Sequence, residues 1–484
     1  MQKPAMRSAD RLPWDVALFM ALYTILPTYF AVEFSEFFPL MTVSRLLLIL
    51  MGLLLVFRQR KLLFDFKHFK FRNWNLHLTE DKLLSGGLLV YFALILLANL
   101  VYITKSSDAI KQLFTIVVEE YAIVWMFSLL LDTRKKLLDA LRITVLVSGV
   151  VAILGILSVI LQFNPFHLLT TVTRYITQAT YYRMGLLRAA AGFGHPVYYG
   201  AYCAVMVPLS MYFLETAEDR KKRILYSFCM TLNVVCLLLS NSRGSMLALL
   251  CIAGIIFLIA LLRKELPALL RKYLPILALV LVILLLVVLF ATVVPGLVSD
   301  FLEGLTPNVT PGTDATGTPE ATTPTEPEEE EQPSYEFGEN KNGLASRMVQ
   351  LTAIPYTLEH HPWFGFGANA FALGKVAYTY VKGHLSFIKT VDMNLVAIIG
   401  QYGLVGLLAF LSQFGTVSIT MLRPKYRKDP LMFALLMAFG CYLLCLLSIS
   451  NLDRWYYPAL GFIVCLVNII RKEASPEENH TEEA

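Results

Sequence analysis

Six arginines, Arg174, Arg183, Arg188, Arg243, Arg347 and Arg454, fall in polar breaks or at the ends of long apolar runs. Five histidines, His167, His195, His360, His361 and His384, share those breaks. A guanidinium stays charged at any physiological pH, and its planar fork of donors matches phosphate oxygens. Each charge-assisted bond contributes about 1.5–3 kcal/mol. The pattern suits an anionic ligand; the competing reading is that exposed arginines meet lipid headgroups or nearby carboxylates. Arg243 is the most telling of them. It stands in Ser240-Asn241-Ser242-Arg243-Gly244-Ser245, a short polar interruption with apolar runs on both sides. An arginine at the bilayer centre costs roughly 2.5–3.5 kcal/mol on insertion scales. This one therefore belongs at a turn between two membrane helices, and so short a turn should hold the side chain against the bundle.

Other chemistries find little support. Gly365-Phe366-Gly367 follows no predicted strand, so it is no dinucleotide fingerprint. The chain has no Walker lysine, no His-Glu-x-x-His and no Gly-x-Ser-x-Gly elbow, which leaves ATP hydrolysis, zinc proteolysis and serine hydrolysis without a motif. No Asp-x-Asp pair is present to hold a divalent metal, and no cofactor is expected. The 7 cysteines, Cys203, Cys229, Cys236, Cys251, Cys441, Cys445 and Cys465, fall inside apolar runs without a Cys-x-x-Cys pair. They read as small packing residues.

The elements that must hold these residues are membrane helices. The chain has 484 residues, 56% hydrophobic and only 16% charged, with a mean hydropathy of +0.60. A soluble protein of this length has too little interior for that much apolar surface. Candidate spans lie at 14–31, 40–57, 83–103, 110–131, 137–161, 195–214, 224–240, 244–262, 273–294, 392–421, 431–450 and 455–470. The fold expected is all-α, a polytopic integral membrane protein with about 12 transmembrane helices. The first apolar run is long and no small-residue cleavage site follows it, so no cleaved signal peptide is expected. Lysine and arginine are much denser in the loops on the N-terminal side of this arrangement than in the longer loops opposite. The positive-inside rule then puts both termini in the cytoplasm. The net charge of +5 follows from topology and carries no sign of nucleic acid.

This division gives helices over 1–294, a large extracytoplasmic loop over 295–391, further helices over 392–470 and a cytoplasmic tail over 471–484. Within the loop, 306–336 is a Thr/Pro/Glu tract whose negative charge and lack of apolar groups predict disorder. The stretch 341–391, with Glu359-His360-His361-Pro362-Trp363-Phe364-Gly365-Phe366-Gly367 and Asn369, reads as an ordered subdomain. A cytoplasmic segment, 58–82, interleaves basic and aromatic residues from Lys61 to Trp74; it reads as an ordinary positive-inside loop, with a segment lying on an anionic leaflet as the alternative. An external one, 162–194, carries Arg174, Arg183 and Arg188 into a glycine-proline break before the next span.

Taken in order, four stretches resemble the O-antigen ligase and polymerase superfamily of polytopic glycosyltransferases, which are GT-C-like in architecture. Arg188-Ala189-Ala190-Ala191-Gly192-Phe193-Gly194-His195-Pro196 is similar to the family's arginine and Gly-Phe-x-x-Pro turn. Ser242-Arg243-Gly244 resembles its Ser-Arg-Gly turn. Ser346-Arg347, followed by His361-Pro362-Trp363-Phe364-Gly365-Phe366-Gly367, resembles the arginine and His-Pro-x-x-Gly-x-Gly of its large external loop. The segment from Asp392 to Gly403-Leu404-Val405-Gly406 resembles the one that ends in Gly-x-x-Gly. The resemblance covers about residues 188–410. It implies transfer of a glycan from an undecaprenyl-diphosphate carrier to an acceptor hydroxyl at the outer leaflet of a bacterial cytoplasmic membrane. Partners would be that lipid-linked glycan, membrane lipids and a hydroxyl acceptor. Carried over, Arg243 and Arg347 become diphosphate ligands with Arg188 third, and His361 and Asp392 the residues that assist the acceptor.

One departure matters. Ligases that act on lipid A carry a histidine ahead of the Gly-x-x-Gly where this chain has Asp392-Met393. Aspartate, with a reference pKa near 3.9 against about 6.5 for histidine, is the weaker base. Asp392 can act as that base, orient a sugar, or cap the following helix. The change favours a polymerase, or a ligase of another surface polymer. A lipid-linked oligosaccharide flippase or other secondary transporter is the alternative, although the charges in this reading gather at outer span ends and no half-repeat is visible. In a cysteine-free background, Asn241→Cys should react in intact cells with a membrane-impermeant maleimide. Labelling only after the membrane is opened would invert the topology.

Overall fold

The computed structural model describes residues 11–35, 38–65, 70–71, 78–104, 106–172, 182–183, 185–305, 343–381, 384–387, 391–451 and 455–481. Arg174, Arg454, much of the segment 61–74 and the tract 306–336 lie outside the described residues, as does the side chain of His384. The helices are α1 (Trp14–Ile25), α2 (Val43–Leu63), α3 (Lys82–Val101), α4 (Ser107–Leu130), α5 (Arg134–Ile160), α6 (Pro196–Thr216), α7 (Arg220–Leu239), α8 (Arg243–Leu262) and α9 (Leu266–Leu305). They continue with α10 (Gly343–Gln350), α11 (Ala353–His360), α12 (Asn394–Leu422), α13 (Pro424–Arg427), α14 (Pro430–Cys445) and α15 (Tyr456–Thr481). The extended pieces described are two-stranded antiparallel hairpins, such as Tyr182–Arg183 with Leu186–Leu187 and Ala377–Val381 with His384–Phe387. The protein is all-α and polytopic.

Every apolar run read from the sequence becomes a helix, but 8 among the described residues are long and apolar enough to cross a membrane. Those are α3 to α9 and α12. Trp14–Ile25, Val43–Phe57 and Pro430–Cys445 are shorter apolar helices. Pro27 stops α1 early, because the residue before a proline is pushed out of the helical region. Helix α9 runs on past 294, where the sequence suggested that the loop begins, to Leu305.

Packing inside the bundle rests on small residues and internal polar bonds, since lipid removes the usual hydrophobic drive between helices. A Cβ on Gly87 would lie 2.2 Å from Thr416 Oγ1, so α3 and α12 touch nearly backbone to side chain. Gly149 meets Cys229 in the same way, and Gly155 meets Tyr199. Asn233 on α7 donates to Ser148 on α5 at 2.9 Å. Phe193, Tyr202, Trp455 and Tyr23 form a run of ring contacts 5.1–5.9 Å apart that joins α1, α6 and the start of α15. Leu250 and Leu262 on α8, and Leu285 on α9, are 68%, 75% and 70% exposed, a lipid-facing surface far beyond what a water-soluble monomer shows.

One end of the bundle is closed by ion pairs. Asp81, buried at the N-cap of α3, accepts from Leu84 N–H at 3.2 Å, Tyr426 Oη at 2.9 Å and Arg423 at 3.1 Å, with Arg471 at 3.8 Å. Arg134 spans Glu473 at 2.9 Å and Asp429 at 2.7 Å, tying α5, α14 and α15 together. Burial alone would raise the Asp81 pKa, but the Leu84 and Tyr426 hydrogen bonds and the two arginine charges hold it below the ordinary 3.8. A folded-state pKa below the unfolded one stabilises at neutral pH, and that stabilisation is lost as pH falls through the carboxylate range. Asp81→Asn should lower stability at neutral pH by about 2 kcal/mol. It should also flatten the loss of thermal stability below about pH 4, measured by unfolding in detergent.

Candidate functional site

Helix α12 is broken. Gly403 sits inside it with φ 61° and ψ −146°, and the loop after α11 docks against the break. Phe366 and Gly367 donate to the carbonyls of Gly400 and Gln401, both at 2.9 Å. Leu404 and Val405 donate to the carbonyls of Pro362 and Trp363 at 2.8 and 3.0 Å. Backbone freed by the break is thereby paired within the protein, as burial in a membrane requires. Glycine is obligatory here on two counts. Gly403 and Gly365 both hold positive φ, and a Cβ on either would lie 2.5 Å from the opposing backbone. The Gly-x-Gly and Gly-x-x-Gly motifs are thus two halves of one backbone joint.

The same end of the bundle gathers the cations. Arg188 Nε donates to Ser240 O at 2.8 Å, and Arg183 donates to Asn241 O at 3.2 Å. Both guanidiniums therefore grip the carbonyl end of α7, where the helix dipole is negative, and so hold the turn that presents Arg243. Gly200 packs on this turn, since a Cβ there would lie 2.6 Å from Ser240 Oγ. Gly244 packs on Ser448. Asn394 continues the chain of contacts, donating from its backbone to Leu446 O at 3.1 Å and from Nδ2 to Ser450 O at 2.8 Å. Gln350, one turn beyond Arg347 on α10, accepts the Asp392 N–H at 2.9 Å. The turn 240–245, the entry to α6, the turn 446–451, the start of α12 and α10 are thereby joined at one bundle end.

Of the residues the sequence singled out, Arg188, Arg243, Arg347 and Asp392 stand on these joined segments. His361 stands apart on the docked loop, exposed, its ring edge-on to Phe366 at 4.5 Å. Two expectations need correction. Arg243 opens α8 and is exposed, so the short turn does not hold its side chain against the bundle. Asp392 is not a cap: the N-cap of α12 is Met393, one residue later, with no side-chain cap bond. The Asp392 side chain is exposed and, among the described residues, has no hydrogen bond or ion pair. The Nε of Arg347 is buried and likewise has no hydrogen-bond partner among the described residues.

Two groups join the site that sequence reasoning did not assign to it. Burial, then the nearby Arg243 charge, lowers the Arg183 pKa; burial, then Arg183, brings Arg188 down to about 10, still protonated at neutral pH. His195 is pushed down by burial and then by Arg188, while Asp392 pulls it up. Its Nδ1 accepts Val197 N–H at 3.1 Å as the N-cap of α6, so the proton of the neutral ring sits on Nε2, which is left as the donor. The signal for His195 was its place directly before Pro196, the N-cap–N1 pattern. An array of guanidiniums with a neutral histidine donor and an open carboxylate can bind an anion and take a proton beside it. Gly403→Ala should break the joint and cost about 3 kcal/mol in strain and lost backbone bonds, read as a lower unfolding temperature in detergent.

Residues 225–411 match the O-antigen ligase family, a stretch that holds Arg243, Arg347, His361, Asp392 and the backbone joint. No curated protein matches the chain. The stretch 225–411 is therefore O-antigen ligase-like, and it sits within a polytopic helical fold.

Proposed function

We propose that the chain is a membrane glycosyltransferase, a surface-polysaccharide polymerase or ligase that moves a glycan from an undecaprenyl-diphosphate carrier to an acceptor hydroxyl. In this reading about 12 helices cross the bacterial cytoplasmic membrane, both termini are cytoplasmic, and the arginine-bearing end faces outward. The observation that carries it is the convergence of Arg183, Arg188 and Arg243 on one turn, beside an open Asp392. The match to the O-antigen ligase family supports the same class of reaction.

The acceptor oxygen attacks the anomeric carbon while the bond from that carbon to the diphosphate oxygen breaks. The departing lipid diphosphate takes the electron pair and gains negative charge. Arg243 and Arg347 meet that charge with preset guanidiniums, and Arg188 adds its positive charge, without reorganisation at the moment of reaction. The acceptor's proton passes to the Asp392 carboxylate, with His361 on the docked loop as the second candidate. Guanidinium charge takes the place of a divalent metal in this scheme.

One observation favours transport of a lipid-linked oligosaccharide as a second reading. Glu120 is buried within a span, 6% exposed, and α12 is broken at Gly403; both features recur in transporters. The charges are therefore not confined to the outer ends, as the sequence suggested. Arg243→Ala and Arg347→Ala separate the readings. Transfer predicts a loss of polymer of about 10²–10³-fold while the carrier still reaches the outer leaflet. Unchanged polymer in both variants would sink the transferase reading. Asp392→Asn should lose turnover without losing stability; full turnover would leave Asp392 as a sugar contact only.

A further inference from the structure

Beside the break in α12 lies a cavity apart from the arginine turn. It has a volume of about 520 Å³ and lies between α3, α4, α12 and the turn before α15. Its mouth is crossed by Asn369 of the docked loop, whose Nδ2 donates to Asp108 at 3.1 Å. Its floor is Glu120, whose carboxylate accepts from the Tyr91 hydroxyl at 3.2 Å; the Tyr91 and Tyr457 hydroxyls lie 2.9 Å apart. The α4 backbone widens into a π-turn over Ile116–Tyr121, a feature concentrated at functional sites. Glu119 on this turn pairs with Arg45 at 2.8 Å, and its neighbour Glu120 bonds Tyr91.

Asn394 lines this cavity and is 3% exposed. Its Nδ2 is bonded to Ser450 O, but its Oδ1 has no hydrogen-bond partner among the described residues. A buried acceptor left open is costly, so a donor from a ligand is expected there. The charges identify that ligand as neutral. Lys111 pairs with Asp108 at 3.5 Å, and Arg45 is taken by Glu119 at 2.8 Å, so among the described residues no unpaired cation lines the cavity for a diphosphate. Amide, carboxylate and tyrosine hydroxyl groups instead match the hydroxyls of a sugar.

We infer that this cavity seats the terminal sugar of the glycan acceptor, apart from the arginine turn that takes the carrier's diphosphate. The inference rests on the transfer reading above. Asn394 stands two residues after Asp392 at the start of α12, so the cavity and the carboxylate that receives the proton share one segment of the chain.

The test titrates purified full-length protein in detergent with two probes by calorimetry. One is the oligosaccharide released by mild acid from the source cell's own lipid-linked glycan; the other is undecaprenyl diphosphate. Glu120→Gln, Gln112→Leu and Asn451→Leu should each weaken the oligosaccharide about tenfold, the effect of one hydrogen bond, and leave undecaprenyl diphosphate binding unchanged. Arg243→Ala should do the reverse. Asn451 is on the exposed rim, so folding is not at stake there, and retained diphosphate binding checks the fold of the other two. Oligosaccharide binding that survives all three cavity variants overturns the assignment and leaves the transfer reading standing. A wild-type protein that binds neither probe overturns both.

Discussion

The docking of residues 362–367 against the break in α12 is the joint on which the rest of this end of the bundle depends. A helix broken within a membrane protein exposes peptide groups that lipid does not solvate, each at a cost of several kcal/mol. The loop supplies partners on both sides of Gly403. In return it fixes its own place, and α11, Asn369 and the start of α12 take their positions from it. The phenol of Tyr102 adds a bond to Gly365 O from the end of α3. Without glycine at 365 and 403 the two backbones cannot approach, and the joint does not close.

A second constraint concerns like charge. Beyond the effect of burial, the charge of Arg243 lowers the proton affinity of Arg183 and that of Arg183 lowers Arg188, an arrangement that repels itself. The protein offsets part of this by anchoring two of the three guanidiniums on the carbonyls of Ser240 and Asn241. An incoming polyanion would relieve the remainder. The cluster is thus a structural clamp and a binding surface at once, and the clamp explains why Arg188 lies before α6 yet acts on the end of α7.

The two ends of the bundle treat charge differently. At the Asp81 and Arg134 end, arginines are matched to carboxylates across α3, α5, α13, α14 and α15. At the other end Arg243 and Arg347 have no ion pair among the described residues, and Asp392 has none either. A matched end holds helices together; an unmatched one is available to a ligand.

Much of this was legible in the chain itself. Long apolar runs dictate membrane helices because lipid is the only solvent that tolerates so much of them, and a lone arginine between two such runs has to mark a turn. The glycine spacing announced a close backbone approach, though not what approaches. Tertiary structure alone decided the pairings between segments far apart in sequence: Arg188 with the carbonyl of Ser240, Gln350 with the Asp392 amide, the loop with the break in α12. It also set Asp392 one residue short of the cap position, because the backbone of Met393 makes the turn into α12. Glu120 shows the limit most clearly. Its identity says only that a carboxyl lies in an apolar run, and the tyrosines that hold it arrive from α3 and α15, brought there by packing that local sequence does not encode.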